Sequence, residues 1–330
     1  MILANNIGER KRALEILEPL QKSDFKEILK VMQGFPVTIR LLDPPLHEFL
    51  PREQDLLMQL SELKSQYSDG SGDTEAMTTT EAIQHKEAIL KRIRELSEVN
   101  PMLGHRGVRL AISFPEIYEM QIRAICEATI ELMEEGVSDI KSQIMVPQVG
   151  IVEEIFKIRS IFNKIVEGLQ KKYGITLMSS STIKFGSMIE VVRACLVAGK
   201  IARVAAVDFI SFGTNDLTQA TFSFSREDAE EKFLPLYLNT NIFSFNPFQH
   251  IDTDGVGKLM KIAVKQVRKE REEGKKTIEI GVCGEHGGDP QSIDFCDNVI
   301  GVDYVSASVN RIPIAIIAVA QAAIRRRGRK

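Results

Sequence analysis

The sequence predicts an α/β fold, a closed (β/α)8 barrel that carries an N-terminal helical linker and an inserted helical hairpin. Short apolar segments alternate with helical patterns, and they are apolar along almost their whole length, as expected for parallel strands covered on both faces. No GxGxxG or GxxxxGK(S/T) loop marks the nucleotide crevice of an open sheet, which favours closure. The predicted strands cover residues 37–42, 140–149, 184–191, 207–213, 277–283 and 304–308.

Helices are predicted between these strands from apolar residues at three- and four-residue spacing. They cover residues 115–135, 152–172, 189–206, 255–273 and 312–325. A seventh, short strand is predicted at residues 105–110, whereas no convincing eighth strand lies between Gly213 and Thr277. Closure of the barrel is therefore an inference from the repeating pattern.

Residues 1–33 form the predicted helical linker, because helical spacing over residues 10–20 and 25–32 ends at a Gly-Phe-Pro break. Residues 34–330 form the predicted barrel. Within it, residues 52–63 and 81–96 have helical spacing and predict a hairpin insert near residues 52–98. The tip of the hairpin, residues 65–80, is polar, contains glycine and lacks periodicity, so we expect a mobile loop there.

The composition indicates a globular protein that binds neither nucleic acid nor a membrane. The 330 residues include 42 Lys and Arg and 45 Asp and Glu, which leaves a net charge of −3. Residues 325–330 are basic and are expected to form a solvated tail. The longest apolar stretch, residues 312–324, is shorter than the roughly 20 residues that a spanning helix needs. The N-terminus lacks the apolar core of a secretory signal and the cysteines form no CxxC motif, so we expect a cytoplasmic protein.

Polar side chains end several of the predicted strands. Arg40 ends the segment VTIR, Glu190 ends GSMIE, Asn215 and Asp216 follow ISFGT, and Cys283 follows IEIGV. The active site of a parallel barrel lies at the carboxyl ends of its strands. Charged groups at these positions would share one cavity, in which a metal ion or an anion must neutralise them.

The carboxylates and arginines near this edge have two interpretations each. Glu190 and Asp216 offer two carboxylates, which suits Mg²⁺ with few protein ligands, but they could equally be strand-end acids paired with arginines. Arg40 and Arg106 can bind a carboxylate or a phosphate through two nitrogens. A salt bridge to a neighbouring acid explains each arginine as well.

Cys283 lies in the segment GVCGEHGG, residues 281–288, where small residues let a ligand approach the backbone. A lone cysteine is commonly a buried apolar residue without reactivity. The strand-end position beside Glu285 and His286 favours a role in proton transfer instead. The histidines show no metal-ligand spacing, and we interpret His286 as an orienting residue.

Eight segments resemble the enolpyruvyl-binding barrels of the phosphoenolpyruvate-utilising phosphotransferases. They lie at residues 37–51, 100–110, 114–125, 144–149, 186–190, 209–228, 281–290 and 303–315. The resemblance covers nearly the whole chain apart from residues 65–80 and the basic tail. Three branches of the family share this barrel: the pyruvate phosphate dikinases, the phosphoenolpyruvate synthases and Enzyme I of the sugar phosphotransferase system. The segments LDPPLHEFLP and CGEHGGDP resemble the dikinase branch.

The resemblance implies a role for each residue at the strand ends. The two arginines would contact the phosphate and the enolate oxygen, and Glu190 and Asp216 would bind Mg²⁺. Cys283 would be the acid and base at the methyl carbon of the substrate, which is phosphoenolpyruvate (PEP) or pyruvate. The implied substrate-binding set is Arg40, Arg106, Glu190, Gly213, Thr214, Asn215 and Asp216.

The implied reaction is Mg²⁺-dependent phosphoryl transfer between PEP and a phosphohistidine on a carrier domain, with protonation of the enolate to pyruvate. The complete dikinase reaction converts ATP, pyruvate and phosphate into AMP, PEP and diphosphate. It needs a nucleotide-binding region and a swivelling phosphohistidine domain, for which this sequence has no matching segment. The resemblance also implies a homodimer. Two alternatives stay open: a barrel of the synthase or Enzyme I type, and a binding or dimerisation module without turnover.

Overall fold

The structure, a computed structural model, describes residues 1–4, 6–68, 73–177, 182–274 and 277–328. Its centre is a sheet of six parallel strands in chain order, so that each strand pairs with the next one along the chain. Each strand overlaps one of the predicted strands, which confirms the parallel α/β class. The strands are β1 (Pro36–Arg40), β2 (Lys141–Val146), β3 (Ile183–Ile189), β4 (Phe209–Gly213), β5 (Glu279–Cys283) and β6 (Tyr304–Val305).

The prediction of a closed barrel of eight strands is wrong for the described residues, in which the sheet is an open half-barrel. β1 and β6 are its two edges, and each pairs with one neighbour. A cavity of about 540 Å³ is lined by residues of both edges, including Thr38 and Tyr304. The strand predicted at residues 105–110 is also wrong. Gly107 adopts φ +56 there and precedes a helix that begins at Val108. This positive φ, which glycine tolerates, turns the chain out of the extended conformation that a strand needs.

Helices and turns surround the sheet, and the whole connection from β4 to β5 lacks a strand in its described residues. The helices are α1 (Ile7–Val31), α2 (Glu53–Ser68), α3 (Asp73–Leu96), α4 (Val108–Ser113), α5 (Pro115–Glu134), α6 (Val152–Tyr173), α7 (Val192–Leu196), α8 (Ala198–Val204), α9 (Thr214–Phe222), α10 (Arg226–Asp228), α11 (Leu234–Asn239), α12 (Val256–Gly274), α13 (Pro290–Phe295) and α14 (Ile312–Gly328). The helix predicted at residues 189–206 is interrupted at Val197, between α7 and α8.

Helix α1 joins the two predicted N-terminal helices into one. Asn6 caps its start, since the side-chain oxygen accepts the N–H of Glu9 at 2.9 Å. Its second half is held on α5 by ion pairs, among them Lys22 to Glu131 at 2.7 Å and Lys26 to Glu131 at 2.9 Å. Packing against α5 therefore keeps the helix continuous where the apolar pattern alone breaks.

Arg10 anchors α1 on the main core. It forms a buried ion pair with Glu116 of α5 at 2.8 Å, and its guanidinium lies 4.0 Å from the ring centroid of Phe114. A buried charge is tolerated when it is paired in this way, and the aromatic face adds to the compensation. The core beneath it is apolar and dense, with Ile117 and Ile122 of α5 fully buried.

Helices α2 and α3 form the predicted hairpin insert. They pack through a small core of their own, to which Leu56, Leu60, Leu90 and Ile93 contribute. Both helices extend into residues 65–80, predicted as a mobile loop, and residues 69–72 at its centre lie outside the described residues. The division into a linker, residues 1–33, and a barrel, residues 34–330, stays a prediction.

The register of the sheet brings the carboxyl ends of its strands to one edge. Arg40 is opposite Met145, Ile189 is opposite Phe212, and Gly213 is opposite Cys283. In a parallel sheet, residues that follow such positions leave the sheet on the same side. The polar residues that end β1, β3, β4 and β5 are therefore neighbours.

Gly287→Ala is expected to destabilise the fold. Gly287 lies in the turn after β5, and a Cβ there would lie 2.0 Å from the backbone oxygen of Ser306, which follows β6. Because this neighbour is backbone and not a flexible side chain, we expect a cost of about 1–3 kcal/mol. Urea unfolding, read as the change in midpoint at constant slope, measures it.

Gly168→Ala is the matched control. Gly168 lies inside α6, and its Cβ would meet nothing within 4 Å. Alanine should stabilise the protein there by roughly 0.5–1 kcal/mol, because it is the better helix former. If both variants moved the midpoint in the same direction, the close approach of Gly287 to Ser306 would not be the reason.

Candidate active site

Arg106 joins three elements at the carboxyl edge of the sheet. Its Nη2 donates to Oδ2 of Asp43 at 2.7 Å, its Nε donates to the backbone oxygen of Asp43 at 3.2 Å, and its Nη1 lies 3.2 Å from Oδ1 of Asp216. Both Arg106 and Asp43 are buried. Burial opposes the charge of Arg106, but Asp43 and Asp216 outweigh it and raise the pKa of the guanidinium. The side chain is therefore a fixed positive charge.

Arg40 is the last residue of β1 and shares Asp43 with Arg106. Its Nη1 lies 3.2 Å from Oδ2 of Asp43. In contrast to Arg106, 47% of its side chain is exposed. Oδ1 of Asp43 is buried and has no hydrogen-bond partner among the described residues. The carboxylate of Asp43 thus contacts two guanidinium groups, of which that of Arg106 is buried and that of Arg40 is half exposed.

Glu190 follows β3 and is almost completely buried, with 1% of its surface exposed. Its Oε1 accepts the backbone N–H of Gln148 at 2.6 Å. In the part of the chain that the structure describes, its Oε2 is buried without a partner. Burial and, next to it, the charges of Asp216 and Asp43 raise the pKa of Glu190 to about 8.

Asp216 lies in the first turn of α9, directly after β4. Burial raises its pKa most and Asp43 adds to the rise, whereas Arg106 lowers it. Asp216 and Glu190 line one cavity of about 330 Å³. Gly213 separates them, and a Cβ at this position would lie 2.2 Å from Oε2 of Glu190. A glycine here is what lets the buried carboxylate reach the cavity.

Asn215 ties the start of α9 to the turn after β5. Its Oδ1 accepts the N–H of Glu285 at 3.1 Å. Gly284 adopts φ +103, and a Cβ on it would lie 2.8 Å from Oγ1 of Thr214 and 2.9 Å from Oδ1 of Asn215. Both the left-handed backbone and the close approach require glycine.

His286 is fully buried, and its contacts fix its tautomer. Nε2 lies 2.9 Å from the backbone oxygen of Pro247, which can only accept, so Nε2 carries the hydrogen. Burial lowers the pKa of His286, which keeps the ring neutral near pH 7. Nδ1 lies 2.8 Å from Oγ1 of Thr214. The single hydroxyl proton of Thr214 has two acceptors within reach, this ring nitrogen and the backbone oxygen of Cys283 at 3.0 Å, so His286 helps to hold Thr214 at the end of β5.

Cys283 is the last residue of β5, and its Sγ donates to the backbone oxygen of Phe212 at 3.5 Å. Burial raises the pKa of Cys283 to about 11, so the group is a thiol at neutral pH. Gly213, which is opposite Cys283 in the sheet, lies against Oε2 of Glu190. Cys283 nevertheless lines the 540 Å³ cavity, and the two carboxylates line the 330 Å³ cavity.

Comparison with known proteins identifies the family. The sequence profile described as PEP-utilising enzyme, PEP-binding domain, matches residues 3–324. The chain belongs to this family. The pyruvate, phosphate dikinase of Entamoeba histolytica is 50% identical over 326 residues, 98% of this chain. That of Clostridium symbiosum is 43% identical over 98% of this chain, and pyruvate, phosphate dikinase 2 of Oryza sativa is 46% identical over 97%.

The chain spans about a third of the length of these relatives, namely 34%, 34% and 33%. The similarity to one solved structure is weak. A citrate lyase from Burkholderia xenovorans aligns with 62% of this chain and 53% of its own at 13% identity, with a TM-score of 0.38, and so carries no argument about the fold. No helix of the described residues is long and apolar enough to cross a membrane.

This PEP-utilising family member has most of its predicted site residues at one edge. Glu190 and Asp216 line the smaller cavity. Arg106 contacts Asp216, Gly213 lies against Glu190, and Arg40 is joined to Arg106 through Asp43. Thr214 and Asn215 contact β5 and the turn after it. Cys283 is at the same edge but faces the neighbouring cavity, which its position in the sequence does not reveal.

Reasoning from the sequence missed four polar residues of the site, namely Asp43, Gln148, Ser211 and Tyr304. Asp43, three residues after Arg40, carried a signal as an acid directly beyond a strand end. Ser211 carried another, because it interrupts the apolar run of β4, and it lines the cavity of Cys283 together with Tyr304. Gln148 carried a signal of the same kind, because it is a polar residue near the end of the predicted strand at residues 140–149.

The donor set suits a cation with few protein ligands. The described residues contain no group of three or more His, Cys, Asp and Glu side chains that could hold a metal. Glu190 and Asp216 are a pair, and Oε2 of Glu190 is a buried acceptor without a partner. Mg²⁺, which keeps several water or substrate oxygens in its octahedral shell, is the common ion that accepts such a pair.

Glu190→Gln is expected to stabilise the metal-free protein, and increasingly so as pH rises. The pKa of Glu190 goes from 4.5 for an ordinary glutamate to about 8 in the folded protein. Between these values the folded protein binds the proton and the unfolded chain has lost it, so the wild-type free energy of unfolding falls with rising pH. Glutamine removes this dependence, and the variant should melt several degrees above the wild type at pH 8–9, since about 1 kcal/mol shifts the melting temperature by roughly 2–4 °C at this size.

Thermal unfolding between pH 5 and 9, with a chelator present, measures the difference. Glu167→Gln, on the exposed side of α6, is the control and should show no trend with pH. A gap between Glu190→Gln and the wild type that stays constant across this range would contradict the raised pKa.

Proposed function

We propose that this chain catalyses Mg²⁺-dependent phosphoryl transfer between PEP and a phosphohistidine on another domain, the partial reaction of a pyruvate phosphate dikinase. The observation that carries the proposal is one cavity lined by the buried Glu190 and the partly buried Asp216. Arg106 contacts Asp216, and Arg40 is joined to Arg106 through Asp43. Phosphoryl transfer needs fixed positive charge and a metal around the moving group, and little covalent chemistry from the protein. Three relatives named pyruvate, phosphate dikinase favour this branch over the synthases and Enzyme I.

Glu190 and Asp216 are the residues that would hold Mg²⁺. The ion would supply positive charge beside the enolate oxygen when the phosphoryl group leaves. Glu190 must be ionised to take part, whereas burial keeps it protonated near pH 7 in the metal-free protein. Ligand binding is therefore coupled to release of this proton.

The two arginines would divide the work on the phosphoryl group. Arg106 is fixed by Asp43 and Asp216 and gives a permanent charge at a fixed place. Arg40 is half exposed and is held at a single 3.2 Å contact, so it can turn towards an incoming ligand. Thr214 and Asn215, at the start of α9, would line the substrate.

Cys283 would protonate the enolate at its methyl carbon. With a pKa of about 11, the group carries its proton at neutral pH and can donate it to C3, which leaves a thiolate. Ser211 lowers the pKa of the thiol and so favours the thiolate that results. In the reverse direction the thiolate removes a methyl proton from pyruvate. The homodimer, the phosphohistidine carrier and the cytoplasmic location stay predictions.

The proposal predicts that oxalate, which resembles the enolate of pyruvate, binds only when Mg²⁺ is present. Calorimetry should detect binding with Mg²⁺ and none with a chelator. Glu190→Gln and Asp216→Asn should each weaken it at least tenfold, because each removes one of two protein ligands of the ion. Glu167→Gln should bind as the wild type does. No oxalate binding by the wild type in the presence of Mg²⁺ would refute the proposed function.

Cys283→Ala is expected to bind oxalate normally and to lose exchange of the pyruvate methyl protons. The reason is that the thiol moves a proton and does not hold the ligand. Proton NMR in deuterated water follows the exchange in the presence of Mg²⁺. Cys195→Ala, which removes a buried thiol in α7, should retain it. Exchange at the wild-type rate in Cys283→Ala would mean that another group is the acid and base.

A further inference from the structure

Gln148 lies between the residues to which the proposed function gives a role, but it has none itself. It follows β2 and Pro147, and only 4% of its surface is exposed. It lines the 330 Å³ cavity together with Glu190 and Asp216. Its backbone N–H donates to Glu190 at 2.6 Å. The residue is thus held directly against the carboxylate pair.

The backbone of Gln148 is in an unfavourable conformation. Its φ is +60, in the left-handed region that glycine and asparagine adopt more readily than glutamine. Conformations of this kind persist where the surroundings enforce them, and they cluster at ligand sites. A glycine would make the same backbone turn and the same N–H contact to Glu190. The backbone turn and the N–H contact therefore do not account for a glutamine at this position, whereas a function of its side chain does.

The neighbouring backbone leaves room for this side chain. A Cβ on Gly107 would lie 2.8 Å from Cβ and 2.9 Å from Cγ of Gln148, and 3.1 Å from Oδ1 of Asp43. Only a glycine next to Arg106 makes space for a stem of this length. The stem of Gln148 consequently lies close to Asp43, and its backbone N–H is bonded to Glu190.

The carboxamide has an unused donor. Nε2 of Gln148 is buried and has no hydrogen-bond partner among the described residues. Burying an amide N–H without a partner is unfavourable, and such atoms in native proteins call for an explanation. Among the described residues, Oδ1 of Asp43 and Oε2 of Glu190 are also buried acceptors without partners, and Nε2 is hydrogen-bonded to neither. A ligand that brings an acceptor oxygen would supply the missing partner.

We propose that Gln148 is a ligand-binding residue, whose Nε2 donates a hydrogen bond to a carboxylate or phosphoryl oxygen of the anion held at Glu190 and Asp216. This inference rests on the proposed function, because it takes the ligand to be a small enolate-like or phosphorylated anion. An amide suits the place. It donates to the anion without adding a charge that would compete with the cation for the two carboxylates.

Gln148→Met and Gln148→Glu test the donor, since both keep the length of the stem and the backbone N–H to Glu190. Oxalate binding at saturating Mg²⁺, measured by calorimetry, should weaken about tenfold or more in Gln148→Met, the loss typical of one hydrogen bond to a charged group. Gln148→Glu should weaken it further, because an acceptor then faces the anion. Binding of Mg²⁺ alone should not weaken in either variant, a result that a general disruption of the site would not give.

Gln219→Met is the matched control. Gln219 lines the same cavity, but its Oε1 already accepts the N–H of Arg226 at 2.9 Å. It should bind oxalate within about twofold of the wild type, a difference below 1 kcal/mol. Wild-type affinity in Gln148→Met, or an equal loss in Gln219→Met, would overturn the role of Gln148. Should Gln148→Glu fail to fold, Gln148→Met decides alone. Absence of oxalate binding by the wild type is a separate result, which refutes the proposed function.

Discussion

The bond between Arg106 and Asp43 is the interaction on which the carboxyl edge of this sheet depends. It is buried on both sides and made through two nitrogens of the guanidinium, so neither partner can be removed without leaving an uncompensated charge in the interior. Through it, the turn before α4, the loop after β1 and the start of α9 are fixed relative to one another. The same bond sets the positions of the charges, because it holds Arg106 at 3.2 Å from Asp216, while Arg40 keeps one contact to Asp43 at 3.2 Å.

In the described part of the chain, Glu190, unlike Arg106, lacks an opposite charge that compensates for its burial. Glu190 has one oxygen that accepts a hydrogen bond and one buried oxygen that has no partner among the described residues. Its pKa is raised to about 8 because burial and neighbouring acids penalise its charge. Such an arrangement is unfavourable in the free protein, and under the proposed function a bound cation would relieve it. The affinity of the proposed site would then derive partly from strain that the fold maintains without a ligand. Gly213 contributes to this strain, because a side chain at this position would clash with Glu190 and the packing that it would provide is therefore absent.

Reasoning from the sequence reached the strand ends because a parallel sheet gathers them. Arg40, Glu190, Asp216 and Cys283 each follow an apolar run, and a run of that kind predicts both a strand and its direction. The number of strands could not be found in the same way, because alternation of strands and helices does not depend on whether a sheet closes. Residues 105–110 were misread for a local reason: the left-handed turn at Gly107 is a backbone property that a short apolar pattern does not contain.

Contacts across the fold were equally out of reach. The side of the sheet edge that Cys283 faces depends on the pleat of β5, and the pairing of Asp43 with Arg106 joins residues that are 63 positions apart. Gln148 is the clearest case. Its proposed role depends on the space next to Gly107 and on Nε2, which has no hydrogen-bond partner among the described residues. Neither property can be recognised in the sequence.

The open sheet has a consequence for how copies of this chain would meet. Unpaired strand edges invite other chains to add strands and so to aggregate. Both edges here are poor templates. β6 has only two residues, and β1 begins with Pro36, which has no N–H to offer, and ends with the charged Arg40. The half-barrel can therefore stay open at its two sides without forming ribbons with its neighbours.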